Sequence, residues 1–486
     1  VGFLDFFRRA PQAKPAAPQP QVRARIDIAE QSDDASHWAN ADWFSLDGAL
    51  TAVKRRTIRN RARYERLNNS YLAGITETLA ADLIGTGPRL QLTTGNAEAD
   101  RIVERSFCRW THRIGLASKL RTMRQSRLID GEAFAQFVTN PALEGVQLDL
   151  RLIEAEMIAT PIGLYIPNTT PEGSIVDGLE FDEAGNVVAY KRLMYHPGSN
   201  YMISNFDFDR IEAKYIIHWF KAIRPAQHRG LSEVAPALRL FGSMRRFTDA
   251  VIAAAETAAD FAAFLHTNSP AAEVDEVEGG AFQAMDIQKR SIVTLPQGYD
   301  ISQLKAEQPT STYAMFKREV LNEIGRSVGL PYNMTALDSS GYNYASGRMD
   351  HALYHEMIRT ERHELRHVAL DRIFLAWCDE AIPLGMIPRG MPPISEWDWE
   401  WAWDGREHVD PSKEASAQEV RLRTHTTTLA HEYAKQGKDW QVELAQRAKE
   451  VELMRDLGLM VDLQPEATYS QTETPDAETA DEGEAE

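Results

Sequence analysis

Ile216-Ile217-His218-Trp219-Phe220 runs apolar for five residues; Arg224-Pro225-Ala226-Gln227-His228-Arg229-Gly230 then turns polar, and from Leu231 the pattern is helical as far as His266. This join separates two textures. Upstream, from Glu132 to Tyr215, apolar and polar residues alternate: Phe134, Gln136 and Val138 take turns, as do Leu148, Leu150 and Leu152. Ile175 to Tyr190 reads as strand, turn and strand with Gly185-Asn186 at the reversal, so the region is expected to be β-rich and antiparallel. Downstream, Leu231–His266 is rich in alanine, including Ala254 and Ala258. Small side chains let a neighbouring helix come close, whether that helix belongs to the same monomer or to another copy. The fold class expected is α+β.

Composition bounds the rest. The chain has 486 residues and a formal charge of −18, with 43% hydrophobic residues, which excludes wholesale disorder. No window holds the roughly 18 uncharged apolar residues of a membrane helix. Two cysteines, Cys108 and Cys378, exclude a disulfide framework and favour a reducing compartment. A chain this acidic is a poor grip for nucleic acid through its phosphates. The segment Pro465–Glu486 is acidic without a single base and is expected to be disordered. Val1–Arg9 is too short in its apolar part for a signal peptide, and Pro11, Pro15, Pro18 and Pro20 follow as an extended arm.

Further elements follow from periodicity. Leu46–Leu83 reads as one helix capped by Asp47, and Ile102–Arg127 as another. The first carries Arg55, Arg59, Arg63 and Arg66 on one face. That face is a nucleic-acid patch, a solvated surface, or a subunit contact that meets acid from a neighbour; the acidity of the chain favours the last two. Ser311–Val328 is helical with the stripe Tyr313, Phe316, Val320, Ile324 and Val328, stopped by Gly329 and Pro331. Between the two long helices, Asn268–Gln308 forms an insert with strand character at Ser291–Leu295. A polar stretch, Asn333–Gly347, precedes a third long helix to about Glu380. Trp397, Trp399, Trp401 and Trp403 share one face of a strand over a core, and Pro411–Leu463 is helical.

Enzymatic signals are weak. His363-Glu364-Leu365-Arg366-His367 has the spacing of a zinc-protease helix, but the metzincin extension to a third histidine is missing, and Glu380 or Glu396 is an unforced third ligand. The reading is therefore not an enzyme, with no catalytic residue, metal or cofactor. There is no phosphate loop, and His218 in its apolar run reads as a satisfied core histidine.

Several stretches together resemble the lambda-type portal family of tailed phages. Arg224–Ser232 is similar to that family's R-P-x-Q-x-R-G element, and Asp338-Ser339-Ser340-Gly341-Tyr342-Asn343-Tyr344-Ala345-Ser346-Gly347-Arg348 to its D-x-S-x-x-N-Y-S-S-x-R element. Asn68-Asn69, Ile84-Gly85-Thr86-Gly87, Gly131-Glu132-Ala133-Phe134, Leu152-Ile153-Glu154 and Asp410–Ala415 match in order. Ala345 departs from the usual Ser, and Ala155-Glu156 from the usual Pro/Ala-Asp.

The resemblance implies a portal-type subunit with a mixed α/β wing, two stem helices, a small α/β clip and a helical crown. Its expected divisions are a Pro-rich arm (1–37), a wing with a helical start (38–230), a first stem helix (231–267), a clip (268–308) and a second stem helix (309–330). A tunnel-loop region (331–347), a long helix with the Trp-rich wing strand (348–410), a crown (411–463) and the acidic tail (464–486) complete it. The resemblance also implies a homo-oligomeric ring, usually of twelve, at one capsid vertex of the virion, built in the host cytoplasm. The ring is the conduit for packaging and ejection of double-stranded DNA, which passes without sequence-specific binding. Partners implied are the major capsid protein, the terminase large subunit and a head-completion adaptor. Residues expected to face DNA are Asp338, Ser339, Ser340, Tyr342, Asn343, Tyr344 and Arg348. Arg55, Arg59, Arg63, Arg66, Ala254 and Ala258 are expected at subunit contacts, and Glu273, Asp275, Glu276 and Glu278 on the clip facing terminase. The rival readings are a zinc metalloprotease through His363 and His367, and a nucleic-acid adaptor through the Arg55–Arg66 helix.

Overall fold

The structure is a computed structural model that describes residues 41, 43–160, 175–199, 207–260, 264–267, 299–302, 310–405 and 411–459. The arm 1–37, the Ser291–Leu295 strand, Glu273, Asp275, Glu276 and Glu278 of the clip, and the acidic segment 464–486 lie outside the described residues.

The single helix read over Leu46–Leu83 is three: α1 (Leu46–Ala49), α2 (Ala52–Asn68) and α3 (Ser70–Ile84). Thr51 caps α2 by accepting from the Lys54 amide. Asn69 leaves the helical region at φ −127°, and its side chain accepts from the Tyr71 and Leu72 amides to start α3. Asp47 is not the cap. Ser45 takes that role, and the Asp47 carboxylate pairs with His228 Nδ1 at 2.8 Å. After β1 (Arg89–Thr93), the helix read over Ile102–Arg127 is also divided, into α4 (Ala97–Arg113) and α5 (Leu116–Asp130). Gly115 makes the corner in the left-handed region at φ +64°.

The β-rich region holds β2 (Glu132–Thr139), β3 (Leu148–Ile153), β4 (Ile175–Val176), β5 (Leu179–Phe181), β6 (Val187–Leu193), β7 (Phe208–Glu212) and β8 (Ile216–Phe220). Every pairing is antiparallel. β2 lies between β3 and β8, with Phe134 opposite Ile153 on one side and His218 on the other. β4 to β7 form a second sheet in sequence order, with the reversal at Gly185-Asn186 where expected. Phe134, Ile153, Leu179, Tyr190 and Ile216 fill the space between the sheets.

The helix read from Leu231 to His266 is shorter at both ends: α6 covers Leu238–Asp260. Residues 231–234 are held against α5 instead, where Leu128 O accepts from the Glu233 amide and the Ser232 hydroxyl. At the far end the chain becomes extended, and β9 (Phe264–Thr267) pairs with β10 (Tyr299–Ser302). α7 (Thr310–Val328) returns along α6, with Phe247 packed on Phe316 at 4.5 Å between ring centres. α8 (Tyr332–Ala336), α9 (Tyr344–Leu365), a π turn at Arg366–Leu370 and α10 (Asp371–Ala381) follow.

β11 (Asp398–Ala402) pairs with β1, and its indoles face the main core as the alternation predicts. Trp399 and Trp401 both donate to Asp371 Oδ1 at 2.8 Å. Phe107 of α4 packs on Phe374, Trp377 and Trp401 within 6 Å. Three helices close the described chain: α11 (Pro411–Arg423), α12 (Leu429–Lys435) and α13 (Trp440–Asp456). No described helix is long and apolar enough to cross a membrane.

Candidate functional site

Two of the motifs quoted above, nearly a hundred residues apart, meet in one buried node. Glu132 opens β2, and Arg229-Gly230 precedes α6. The Glu132 side chain is 0% exposed and that of Arg229 1%. Arg229 donates to Glu132 through Nη2 at 2.6 Å and Nε at 2.9 Å, and the Gly230 amide adds a bond at 2.9 Å. Arg59 of α2 and His218 of β8 reach the same carboxylate at 3.1 and 3.2 Å. Arg229 also donates to the carbonyls of Ile158 and Asp177. A planar fork with five N–H groups is the side chain that can satisfy so many acceptors at once.

Burial alone raises the Glu132 carboxyl; Arg229 and His218 outweigh it and hold the group well below its usual range. Burial lowers the His218 imidazolium more than Glu132 restores it, so the ring stays neutral. An ionised Glu132 can only accept, so His218 donates from Nε2, and Nδ1 accepts from the Tyr190 hydroxyl at 3.4 Å. His218 is thus the satisfied core histidine that its apolar run predicts, stacked on Phe134 at 4.2 Å.

Both glycines are required by contact. A Cβ on Gly230 would lie 2.6 Å from the Gly131 carbonyl carbon, and one on Gly131 would overlap the Leu231–Ser232 peptide. Gln227 spans the preceding turn, accepting from the Ile223 amide and donating to Arg229 O, both at 2.8 Å. A second buried node lies alongside. Arg124 and Arg127 of α5 meet Glu233 and Glu361, at 2.9 Å for Arg127 Nε to Glu233 and 3.0 Å for Arg124 Nε to Glu361. The sequence reading missed this node, although two arginines one turn apart on α5 were visible.

The arginines on one face of α2 pair with acids of the same chain. Arg55 pairs with Asp177, Arg59 with Glu132 and Glu156, Arg63 with Asp130 and Glu156, and Arg66 with Glu77. Arg55 and Arg59 are buried, so neither is a surface for a neighbouring subunit or for nucleic acid. Ala254 is half-buried on α6, and Ala258 lies in the same helix.

The polar stretch read as 331–347 is only partly loop, because α8 and the first turn of α9 occupy its ends. Leu337 sits in the left-handed region at φ +52° and ends α8. From Leu337 to Gly341 every residue is exposed. Asp338 Oδ1 accepts from the Ser340 amide at 3.0 Å, and this bonding holds its carboxyl below the usual range. Ser339 O accepts from the Tyr342 amide at 3.1 Å. Asn343 and Ser346 form a reciprocal cap that starts α9, placing Tyr344 and Arg348 on its first turns rather than in a loop. Arg348 is exposed.

The zinc-spaced pair does not form a tidy ligand set. His363 and His367 lie 4.7 Å apart between ring centres, but His367 belongs to the π turn and leans toward Asp371 at 3.6 Å. Glu364 pairs with Arg127 at 3.5 Å, and Glu380 accepts from the Gln147 and Leu148 amides. Among the described residues, Glu154, Glu156 and His196 are close enough to share an ion. Arg59 and Arg63 already pair with Glu156 at 3.2 and 2.9 Å, which leaves that trio ill suited to a cation. Cys378 is buried, and burial pushes its thiol up to about 12, so it is inert.

These nodes hold sheets to helices, and the exposed polar element is the short Leu337–Gly341 loop. The family description "phage portal protein, lambda family" matches residues 35–362. A relative named "Probable portal protein", from Halomonas phage phiHAP-1, is 22% identical over 479 residues, which is 93% of this chain and 90% of the relative. Among solved structures, the neck of an empty GTA particle computed with C6 symmetry is 14% identical, with TM-score 0.45, over 78% of this chain and 93% of that one. An HK97-family phage portal protein from Corynebacterium diphtheriae is 11% identical, with TM-score 0.29, over 73% and 98%. With two thirds of its length matched by one family description, the chain belongs to the lambda family of phage portal proteins.

Proposed function

We propose that this portal protein is one wedge of a closed ring at a capsid vertex of the virion, assembled in the host cytoplasm, through which double-stranded DNA is packaged and ejected. The observation that carries the proposal is the family match across residues 35–362. Ring closure needs a heterologous contact that returns on itself, and twelve copies is the number we propose. In this reading the two sheets with α1–α5 and β11 are the wing, and α6 and α7 are the stem. β9 and β10 lead into the clip, and α11–α13 form the crown. The paired, antiparallel run of α6 and α7 supports the stem assignment. The exposed Leu337–Gly341 stretch supports a loop that meets DNA in the bore, with Asp338, Ser339, Ser340, Tyr342 and Asn343 nearest the duplex and Tyr344 and Arg348 behind them.

The ring also docks the terminase large subunit, the head-completion adaptor and the major capsid protein. The clip carboxylates Glu273, Asp275, Glu276 and Glu278 are proposed to face terminase, and Ala254 and Ala258 to lie against the next stem. The chain acts without catalysis. Electron micrographs of the purified full chain, averaged by class, test the proposal. Rings with a central hole are the expected result; compact monomers carrying one zinc each would overturn it in favour of the histidine pair.

A further inference from the structure

Arg55, Arg59 and Arg63 of α2 are paired within the fold, but the arginine row of α4 is not. Arg101, Arg105 and Arg109 recur every fourth residue, with His112 on the same face, and all four are exposed. Arg101 donates to the Gln441 side chain at 3.3 Å. Among the described residues, none of the three arginines forms an ion pair. In a chain of charge −18, a row of unpaired guanidinium groups stands out. The row borders a cleft lined by the Thr86–Pro88 turn, Arg89, Arg121 and Val442 of α13. Glu104 lies in this cleft, and burial pushes its carboxyl up to about 7 even though it accepts from the Leu92 amide. Near neutral pH it therefore carries less than a full negative charge. The cleft touches the turn before the last helix. Arg89 donates to Gly437 O, and the Gly405–Gly437 contact is too close to admit a Cβ on either residue.

We infer that the acidic segment Pro465–Glu486 of the same subunit docks on the Arg101–Arg105–Arg109 face of α4. Charge is complementary: the segment has many Asp and Glu and no Lys, Arg or His. Reach is sufficient. α13 begins at Trp440, beside the cleft that Val442 lines, and is about 25 Å long to Asp456. The ~27 residues from Met460 to Glu486 span up to ~90 Å when extended and about 30 Å as an average coil. A tethered partner works at an effective concentration in the millimolar range, so weak individual pairs suffice. Docked there, the segment screens the chain's unpaired arginine row from phosphates. The inference does not require ring closure, so its failure and the failure of the ring are separable.

The test uses the full chain with R101K, R105K and R109K, which keep the charge and supply amines. A carbodiimide then couples any amine that touches a carboxylate, and mass spectrometry identifies the joined peptides. Coupling of the substituted amines to peptides of 465–486 is expected. It should vanish when the Asp and Glu of that segment are changed to Asn and Gln. Coupling only to other segments, or none, overturns the inference. In a mixture of isotope-labelled and unlabelled chains, joined peptides of mixed label would also overturn it, by assigning the segment to a neighbouring copy. A second readout needs no lysines. Once the segment is neutralised, DNA retention should depend on Arg101, Arg105 and Arg109, with the slope of log retention against log salt falling by about 3 on R101Q/R105Q/R109Q. The same three changes in the unmodified chain should leave the slope unaltered; equal slopes in all four proteins refute the idea.

Discussion

At the scale of single residues, Glu132 is the anchor of the molecule. Its carboxylate takes bonds from Arg229, Arg59, His218 and the Gly230 amide in a site without water access. Removing one partner of a buried ion pair strands the other, and such losses run at about 3–5 kcal/mol. Glu132→Gln should therefore lower the urea midpoint sharply, whereas Arg66→Gln, whose pair with Glu77 is half exposed, should cost no more than about 1 kcal/mol. The pH dependence follows from His218. Burial depresses its folded-state pKa below the unfolded value of about 6.5. The unfolded chain then binds the extra proton first, so the stability that the neutral ring contributes is present above about pH 6.5 and declines as pH falls from there toward the folded pKa. The depressed Glu132 carboxyl acts in the same sense at lower pH, losing its contribution below the ordinary carboxylate range. Urea midpoints measured between pH 8 and pH 5 should fall with acidity, and His218→Gln should flatten the upper part of that slope. An unchanged slope would show that the ring titrates alike in the folded and unfolded chains and is not depressed by burial.

At the scale of elements, close contacts and capping decide what a substitution does. Gly230→Ala pushes a methyl into the Gly131 peptide and should cost at least the 1–3 kcal/mol of an overpacked site, seen as a lower melting temperature. Gly74, exposed in the middle of α3 with open space around it, is the counterpart: Gly74→Ala should gain about 1 kcal/mol. Asp371→Ala leaves the Trp399 and Trp401 indoles without their shared acceptor, and a loss of about 1–3 kcal/mol for each stranded group should come with a shift in tryptophan emission. The elements legible in the sequence are those whose pattern is local. The Trp397–Trp403 strand and α7 have clear periods of two and of three to four, and Gly185-Asn186 marks its own turn. The breaks at Asn69 and Gly115 were not legible, because apolar spacing continues across each of them. The start of α6 was missed because residues 231–234 are helix-compatible but are bonded to Leu128 instead. The motif Arg224–Ser232 was visible as a family mark, yet its role was not: its ion-pair partner is Glu132, and no local pattern links residues that far apart. The same blindness made the arginines of α2 read as surface and left the exposed row on α4 unremarked.

At the scale of the whole molecule, the charge distribution bears on how a portal ring handles DNA. Interior arginines are matched by interior acids, so the field felt outside reflects an acidic chain, and each added copy adds −18 to the assembly. In the proposed ring a duplex carrying one charge per ~1.7 Å meets an acidic wall that does not neutralise its phosphates, and a contact that releases no counterions does not hold. The proposed bore loop puts Asp338 at the point where this matters, fully exposed and held ionised by its bonds to Ser340. Asp338→Lys changes that position by two charges in every copy and turns a ring of repulsion into a ring of attraction. DNA passage should slow in both directions, measured as packaging velocity and as ejection rate from single particles. Asp338→Asn should fall between the two, because it removes repulsion without adding a grip. Raising salt should relieve the lysine variant more than the native ring, since screening shortens to about 3 Å at 1 M. Equal rates for all three proteins at low salt would remove Asp338 from the path of the duplex.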